Sequence, residues 1–148
     1  MQLESAYLAA MFDQCIYFNT QALGRQLDRL WTQAFKRFDL TPPQGFMLRA
    51  VLDQPGMLQS QLAATLKIAR ATATRALDGL EARDLIERRA TGRDGRECEI
   101  HPKATALAIR DALNDASGEV TARLKAKLGA PEFAAFVDQV KIVAGAVG

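Results

Sequence analysis

The sequence predicts a mainly α fold: a helix-turn-helix followed at once by a two-stranded β wing, with long helices at both ends of the chain. Three observations predict it. Long stretches at both ends carry apolar residues at three- and four-residue steps, with proline only at helix starts. Between them, two short helical patterns meet at the tight turn Lys67-Ile68-Ala69. The periodicity then changes from helical to alternating over LIERRA and RECEI, on either side of Thr91-Gly92-Arg93-Asp94-Gly95.

From about Ser5 to Phe38, Leu8, Met11, Phe12, Cys15, Ile16, Leu23, Leu27, Leu30, Trp31, Phe35 and Phe38 form one apolar stripe, which predicts a single long helix with Gly24 as its weak point. Thr41 then offers a cap, Pro42 suits the first helical position and Gln44 completes a capping box, so a second helix runs to about Asp53 and ends before Pro55-Gly56. The helix-turn-helix follows as Gln59 to Leu66 and Arg70 to about Arg83. At 100° per residue, Ala73, Ala76, Leu77 and Leu80 share one side of the latter, while Ala71, Thr74, Arg75 and Asp78 share the other. One face packs and the other is presented. After the wing, a helix from Pro102 to Leu128 carries Leu107, Ile109, Leu113, Val120 and Leu124. Gly129 breaks it, and Pro131 starts a last helix striped by Phe133, Phe136, Val137, Val140 and Val143.

A length of 148 residues fits one domain, 1–148, with a winged lobe at 39–101 and dimerisation helices at 1–38 and 102–148. The composition, 49% apolar and 24% charged, is that of a folded globular chain. Net charge is only +2, yet Lys67–Arg96 holds eight basic and five acidic residues, leaving that window at +3 and the remainder at −1. Cys15 and Cys98 are far apart and form no C-x-x-C pair, which points to a reducing compartment. No apolar run approaches the ~18 residues of a membrane span and no secretory pattern opens the chain, so a soluble cytoplasmic protein without membrane partners is expected. His101 is the single histidine and no phosphate-binding glycine loop is present. No enzymatic activity, cofactor or metal is therefore expected.

The order of elements, with LTPPQGFMLRAV, then PGMLQSQLAATLKIARATATRALDGLEARDLIERR, then the pair Asp94 and Arg96, resembles the MarR (multiple-antibiotic-resistance regulator) family over nearly the whole chain. The resemblance implies a cytoplasmic winged-helix regulator of transcription, a repressor released by a small effector. Several departures stand out. Leu58 and Ala69 occupy helix-capping positions usually held by polar residues, and Lys67 and Asp84 occupy turns where glycine is common. His101-Pro102 replaces the usual Leu-Thr, and about two residues are missing there, which predicts a short second wing strand.

A helix in the major groove and a basic hairpin in the adjacent minor groove can read one DNA segment together. Thr72 and Thr74 are candidates for phosphates or base edges, Arg75 for guanine or phosphate, Arg70 for phosphate at the helix N-terminus and Ala71 for a thymine methyl. The resemblance makes Arg96 a wing-tip arginine for the minor groove, held by Asp94, with Arg93 as an alternative tip contact. Arg88 and Arg89 serve either phosphates or the hairpin itself. The apolar terminal helices are too long for the lobe to cover, which predicts a homodimer and hence a palindromic operator. The resemblance also implies small aromatic or phenolic effectors, and Trp31, Phe35, Phe46 and Met47 are either the pocket for one or simply core. Two other readings stay open: a protein-interaction module that no longer reads DNA, and a thiol switch at Cys15, a residue whose place on the apolar stripe also suits packing.

Overall fold

The computed structural model describes residues 1–92 and 97–148. Helices α1 (Gln2–Phe12) and α2 (Ile16–Phe35), the latter ending in a 3-10 turn (Lys36–Phe38), lead into α3 (Pro42–Asp53). Strand β1 (Met57–Leu58), α4 (Gln59–Leu66), α5 (Arg70–Ala82), β2 (Ile86–Ala90) and β3 (Cys98–Pro102) follow, and α6 (Ala104–Leu128) and α7 (Ala130–Val147) close the chain.

The single first helix expected from the stripe is in fact two. Cys15 is extended (φ −82°, ψ 116°) and caps α2, its Sγ accepting from the Phe18 N–H at 3.5 Å. Asn19 Nδ2 reaches back to the carbonyl oxygens of Phe12, Asp13 and Cys15 at 2.8 to 3.3 Å. That amide satisfies carbonyls a continuous helix would have bonded itself, so the break is stable without proline or glycine.

The start of α3 follows its sequence signal: Gln44 N–H donates to Thr41 Oγ1 (3.4 Å) and Thr41 N–H to Gln44 Oε1 (3.0 Å). At Leu58 half of that motif survives, because Gln61 Oε1 accepts from the Leu58 N–H at 2.9 Å. The two turns that lack glycine take the left-handed conformation with side chains present, Lys67 at φ 56° and Asp84 at φ 59°, and Asp39 does the same at φ 56°.

The sheet has three antiparallel strands in the order β1-β3-β2, one more than the hairpin expected. Gly56, at φ 89°, makes the tight turn that brings its N–H to Ile100 O (2.8 Å) and sets Met57 opposite Ile100. Pro102, expected to open a helix, instead pairs with Ile86 at the end of β3, and Lys103 caps α6. The second wing strand keeps five residues, the same length as the first.

The core lies between α3, α4, α5 and the inner sheet face. Met47, Leu48, Val51, Leu62, Leu77, Leu80, Ile86 and Ile100 are fully buried there, joined by Phe35 from α2 and Leu113 from α6. Phe35 sits so close to α3 that a Cβ on Gly45 would come within 2.4 Å of its ring. By contrast α7 has no buried residue, and among the described residues α1 barely touches the other elements.

Candidate nucleic-acid interface

Helix α5 divides as its sequence requires. Ala73, Ala76, Leu77 and Leu80 are buried against α3 and α4, and Arg70, Ala71, Thr74, Arg75 and Asp78 are exposed. Thr72 is half-buried and its Oγ1 accepts a long bond from Arg75 Nη2 (3.4 Å). Ala69 gives α5 no side-chain cap. The N–H groups of its first turn therefore remain open to an outside acceptor, with Arg70 beside them, an arrangement suited to a phosphate.

Thr74 is engaged on both sides. Its hydroxyl donates to Arg70 O (3.0 Å) and accepts from Gln59 Nε2 of α4 (2.8 Å). In the sequence Gln59 carries no signal beyond being a polar residue at the start of the first helix of the pair.

The wing meets the helix through Arg88. Ile86, Arg88, Cys98 and Ile100 share the inner sheet face, because Arg88 pairs with Ile100 and Ala90 with Cys98. Past buried Ile86, the Arg88 side chain emerges at the flank of α5, with Nη2 2.8 Å from Asp78 Oδ1 and Nη1 3.3 Å from Glu81 Oε2. Arg89 faces outward and pairs with Glu87, whose carboxyl it holds below its ordinary value by a hydrogen bond and by its charge. Arg88 thus joins the hairpin to α5, and Arg89 pairs within its own strand. The wing-tip residues Arg93, Asp94 and Arg96 lie outside the described residues.

A cavity of about 370 Å³ opens where α2, α3 and α6 converge. Trp31 and Phe46, 6.4 Å apart between ring centres, line it with Arg49, Ser117, Thr121 and Lys125. Phe35 and Met47 are fully buried in the core and are not part of its wall. Ser117 Oγ accepts from both Trp31 Nε1 (3.0 Å) and Arg49 Nη1 (2.9 Å), while Arg49 Nε donates to Asn114 Oδ1 (2.8 Å). Burial pushes the Arg49 guanidinium below its ordinary value. No carboxylate lines the cavity among the described residues.

Among the described residues no group of three His, Cys, Asp or Glu could hold a metal ion, and no helix is long and apolar enough to cross a membrane.

A model of the MarR family matches residues 38–97. Over 104 residues the chain is 30% identical to the HTH-type transcriptional regulator MgrA of Staphylococcus aureus, covering 70% of this chain and 71% of MgrA. It is 36% identical over 66 residues to YybA of Bacillus subtilis, an uncharacterized HTH-type transcriptional regulator, covering 45% of this chain but only 44% of that protein. Among solved structures, the PcaV transcriptional regulator of Streptomyces coelicolor in complex with its natural ligand superimposes with a TM-score of 0.84 at 23% identity, over 93% of this chain and 96% of PcaV. The MepR–DNA complex of S. aureus does so with a TM-score of 0.79 at 20% identity, over 90% and 98%.

Proposed function

The chain belongs to the MarR family, and from that premise we propose that it is a sequence-specific regulator of transcription that binds double-stranded DNA as a homodimer on a palindromic operator. The observation that carries this is the division of α5: an apolar face locked into the core and a face of Arg70, Ala71, Thr74 and Arg75 held outward beside a wing. Arg75 reads guanine or phosphate, Arg70 and the open N–H groups of the first turn take phosphate, Ala71 and Thr72 fill the surface between, and Arg93 and Arg96, with Asp94, serve the adjacent minor groove. MepR has been solved on DNA, in keeping with this use of the fold.

Dimerisation rests on the terminal helices. Tyr7, Met11, Ile16, Phe136, Val140 and Val143 stand exposed along α1, α2 and α7, a surface that a second copy would cover. In this reading 39–101 is the DNA-binding lobe and 1–38 with 102–148 the dimerisation arms, in a cytoplasmic protein that performs no catalysis and needs no cofactor. Repression is relieved when a small aromatic effector enters the cavity at Trp31 and Phe46, where α2 and α6 of the arms meet α3 of the lobe, and so changes the spacing of the two α5 helices. PcaV, solved with its natural ligand, shares the fold.

The test is selection of bound duplexes from a random library by the full-length protein, followed by salt titration of wild type, Arg75→Ala and Arg96→Ala. A palindrome should emerge. Arg75→Ala should weaken binding and relax sequence choice, and Arg96→Ala should weaken it with less effect on major-groove preference. Equal, salt-insensitive binding by all three overturns the proposal in favour of a protein-interaction module.

A further inference from the structure

Thr74 lies on the exposed face of α5, but its hydroxyl has one hydrogen and that hydrogen is committed to Arg70 O. A phosphate oxygen or a base acceptor needs a donor, so Thr74 can offer neither one without breaking that bond. What stands beside it is the Gln59 amide, delivered from the first residue of α4 and fixed by Nε2 donating to Thr74 Oγ1 at 2.8 Å. Among the described residues nothing else bonds that amide. One Nε2 hydrogen and the Oε1 lone pairs of this planar group are unspent.

Resting on the DNA-binding reading above, we propose that Gln59 is a base-reading residue of the interface and that it selects adenine in the major groove of each half-site. Adenine is the base whose major-groove edge pairs an acceptor, N7, with a donor, the N6 amino group, and so complements a neighbouring N–H and C=O. Guanine presents two acceptors, N7 and O6, and would set O6 against Oε1. Cytosine and thymine each match one half of the amide at most. Thr74 acts as the positioning residue: by holding Nε2 it removes the rotamer freedom that a half-buried glutamine would otherwise lose on binding. The readable surface thus extends beyond the recognition helix to the helix before it.

The experiment uses the full-length protein and the operator obtained by random-library selection. Affinities are measured for that operator and for duplexes carrying each other base at every half-site position, with wild type, Gln59→Ala, Gln59→Glu and Thr74→Val, and melting temperatures confirm that each variant is folded. Expected is one adenine per half-site whose replacement weakens wild-type binding roughly ten- to a hundredfold. Gln59→Ala abolishes the preference at that position alone and leaves the salt dependence unchanged. Thr74→Val reduces it at the same position, and Gln59→Glu shifts it towards cytosine, whose amino group a carboxylate accepts. Preferences identical in wild type and Gln59→Ala would overturn the proposal. So would a loss uniform across sequences with a shallower salt slope, the signature of a phosphate contact. Both results leave a selected palindrome standing; absence of any selected sequence with wild type sinks the DNA-reading function and this inference together.

Discussion

Arg88 Nη2 lies 2.8 Å from Asp78 Oδ1, so the first wing strand is pinned to the exposed flank of the recognition helix. Glu81, one turn further along α5, takes the other end of the same guanidinium at 3.3 Å. The Arg88 side chain is 20% exposed and its carboxylate partners 61% and 47%, so solvent screens the pair and the stabilisation is modest, about 0.5 to 1 kcal/mol. Arg88→Ala should lower the melting temperature by roughly 1 to 4 °C. It should also weaken operator binding, because wing and helix no longer hold a fixed relation. With its guanidinium matched by two carboxylates, Arg88 is expected to make no phosphate contact, so the slope of log affinity against log salt should stay at its wild-type value. A slope reduced by about 0.9 would show that Arg88 neutralises a phosphate instead.

Gly45 leaves no room for a side chain where α3 meets Phe35. A methyl group there would overlap the ring of Phe35, which is fully buried and packs edge-on to Phe46 at 5.8 Å. Gly45→Ala must displace that ring or push α3 from α2, and overpacking of this kind costs about 1 to 3 kcal/mol. Gly24 has open space around its Cβ position in the middle of α2, and Gly24→Ala should stabilise the chain by up to about 1 kcal/mol. Urea unfolding of the two variants should give midpoints displaced in opposite directions from wild type. A Gly45→Ala midpoint equal to wild type would mean that α3 does not approach Phe35 this closely.

The elements legible in the sequence were those whose signal is local. The capping box of Thr41 and Gln44, the buried and exposed sides of α5 and the alternation of β2 and β3 are each written within a dozen residues. What escaped was made by side chains acting at a distance. The break after Phe12 comes from Asn19 reaching back six and seven residues, and an unbroken apolar stripe conceals it. Strand β1 is two residues long, too short to show any period, and exists because Ile100 is there to pair with. Pro102 looks like a helix start, yet as the last residue of β3 it needs no N–H, and Lys103 N–H closes on Leu85 O instead at 2.9 Å. The cavity wall joins α3 to α6, so Trp31 and Phe46 could be nominated as aromatic residues, whereas Arg49, Ser117 and Lys125 carried no mark of belonging with them. Phe35 and Met47, which the sequence allowed as either pocket or core, are buried in the core.

Two surface pairs give the wing region opposite responses to pH. Glu87 is held below its ordinary value of 4.5 by the Arg89 hydrogen bond and charge, so its contribution is present above about pH 4.5 and is lost as pH falls through the lowered folded value. Lys103 is raised above 10.5 by its hydrogen bond to Asp84 and the charge of that carboxylate, so its contribution is present below about pH 10.5 and is lost as pH climbs through the raised value. Stability curves of Glu87→Gln should therefore fall less steeply than wild type on the acid side only, and those of Lys103→Met on the alkaline side only. Parallel curves for wild type and variant would remove either pair as a source of the pH response.

Trp31 is the single tryptophan of the chain, and it stands in the wall of the cavity proposed for the effector. Its indole N–H is tied to Ser117 Oγ, which also takes a bond from Arg49, so any molecule entering between Trp31 and Phe46 changes the polarity around the fluorophore directly. Titration with benzoate and with phenol as probes should change Trp31 emission and weaken operator binding over the same concentration range. A coupling of 1 to 3 kcal/mol, the usual size of such linkages, corresponds to roughly a 5- to 150-fold loss of affinity. Phe46→Ala removes one face of the slot and should shift both titrations together to higher probe concentration. Because Phe46 is 38% exposed, that substitution should destabilise the fold far less than truncation of a core residue such as Leu48. Release of DNA by an aromatic probe with Trp31 emission unmoved would place the effector elsewhere. Emission changes without loss of DNA binding would show a ligand that occupies the cavity without favouring either spacing of the two α5 helices, and linkage allows such a ligand no regulatory effect.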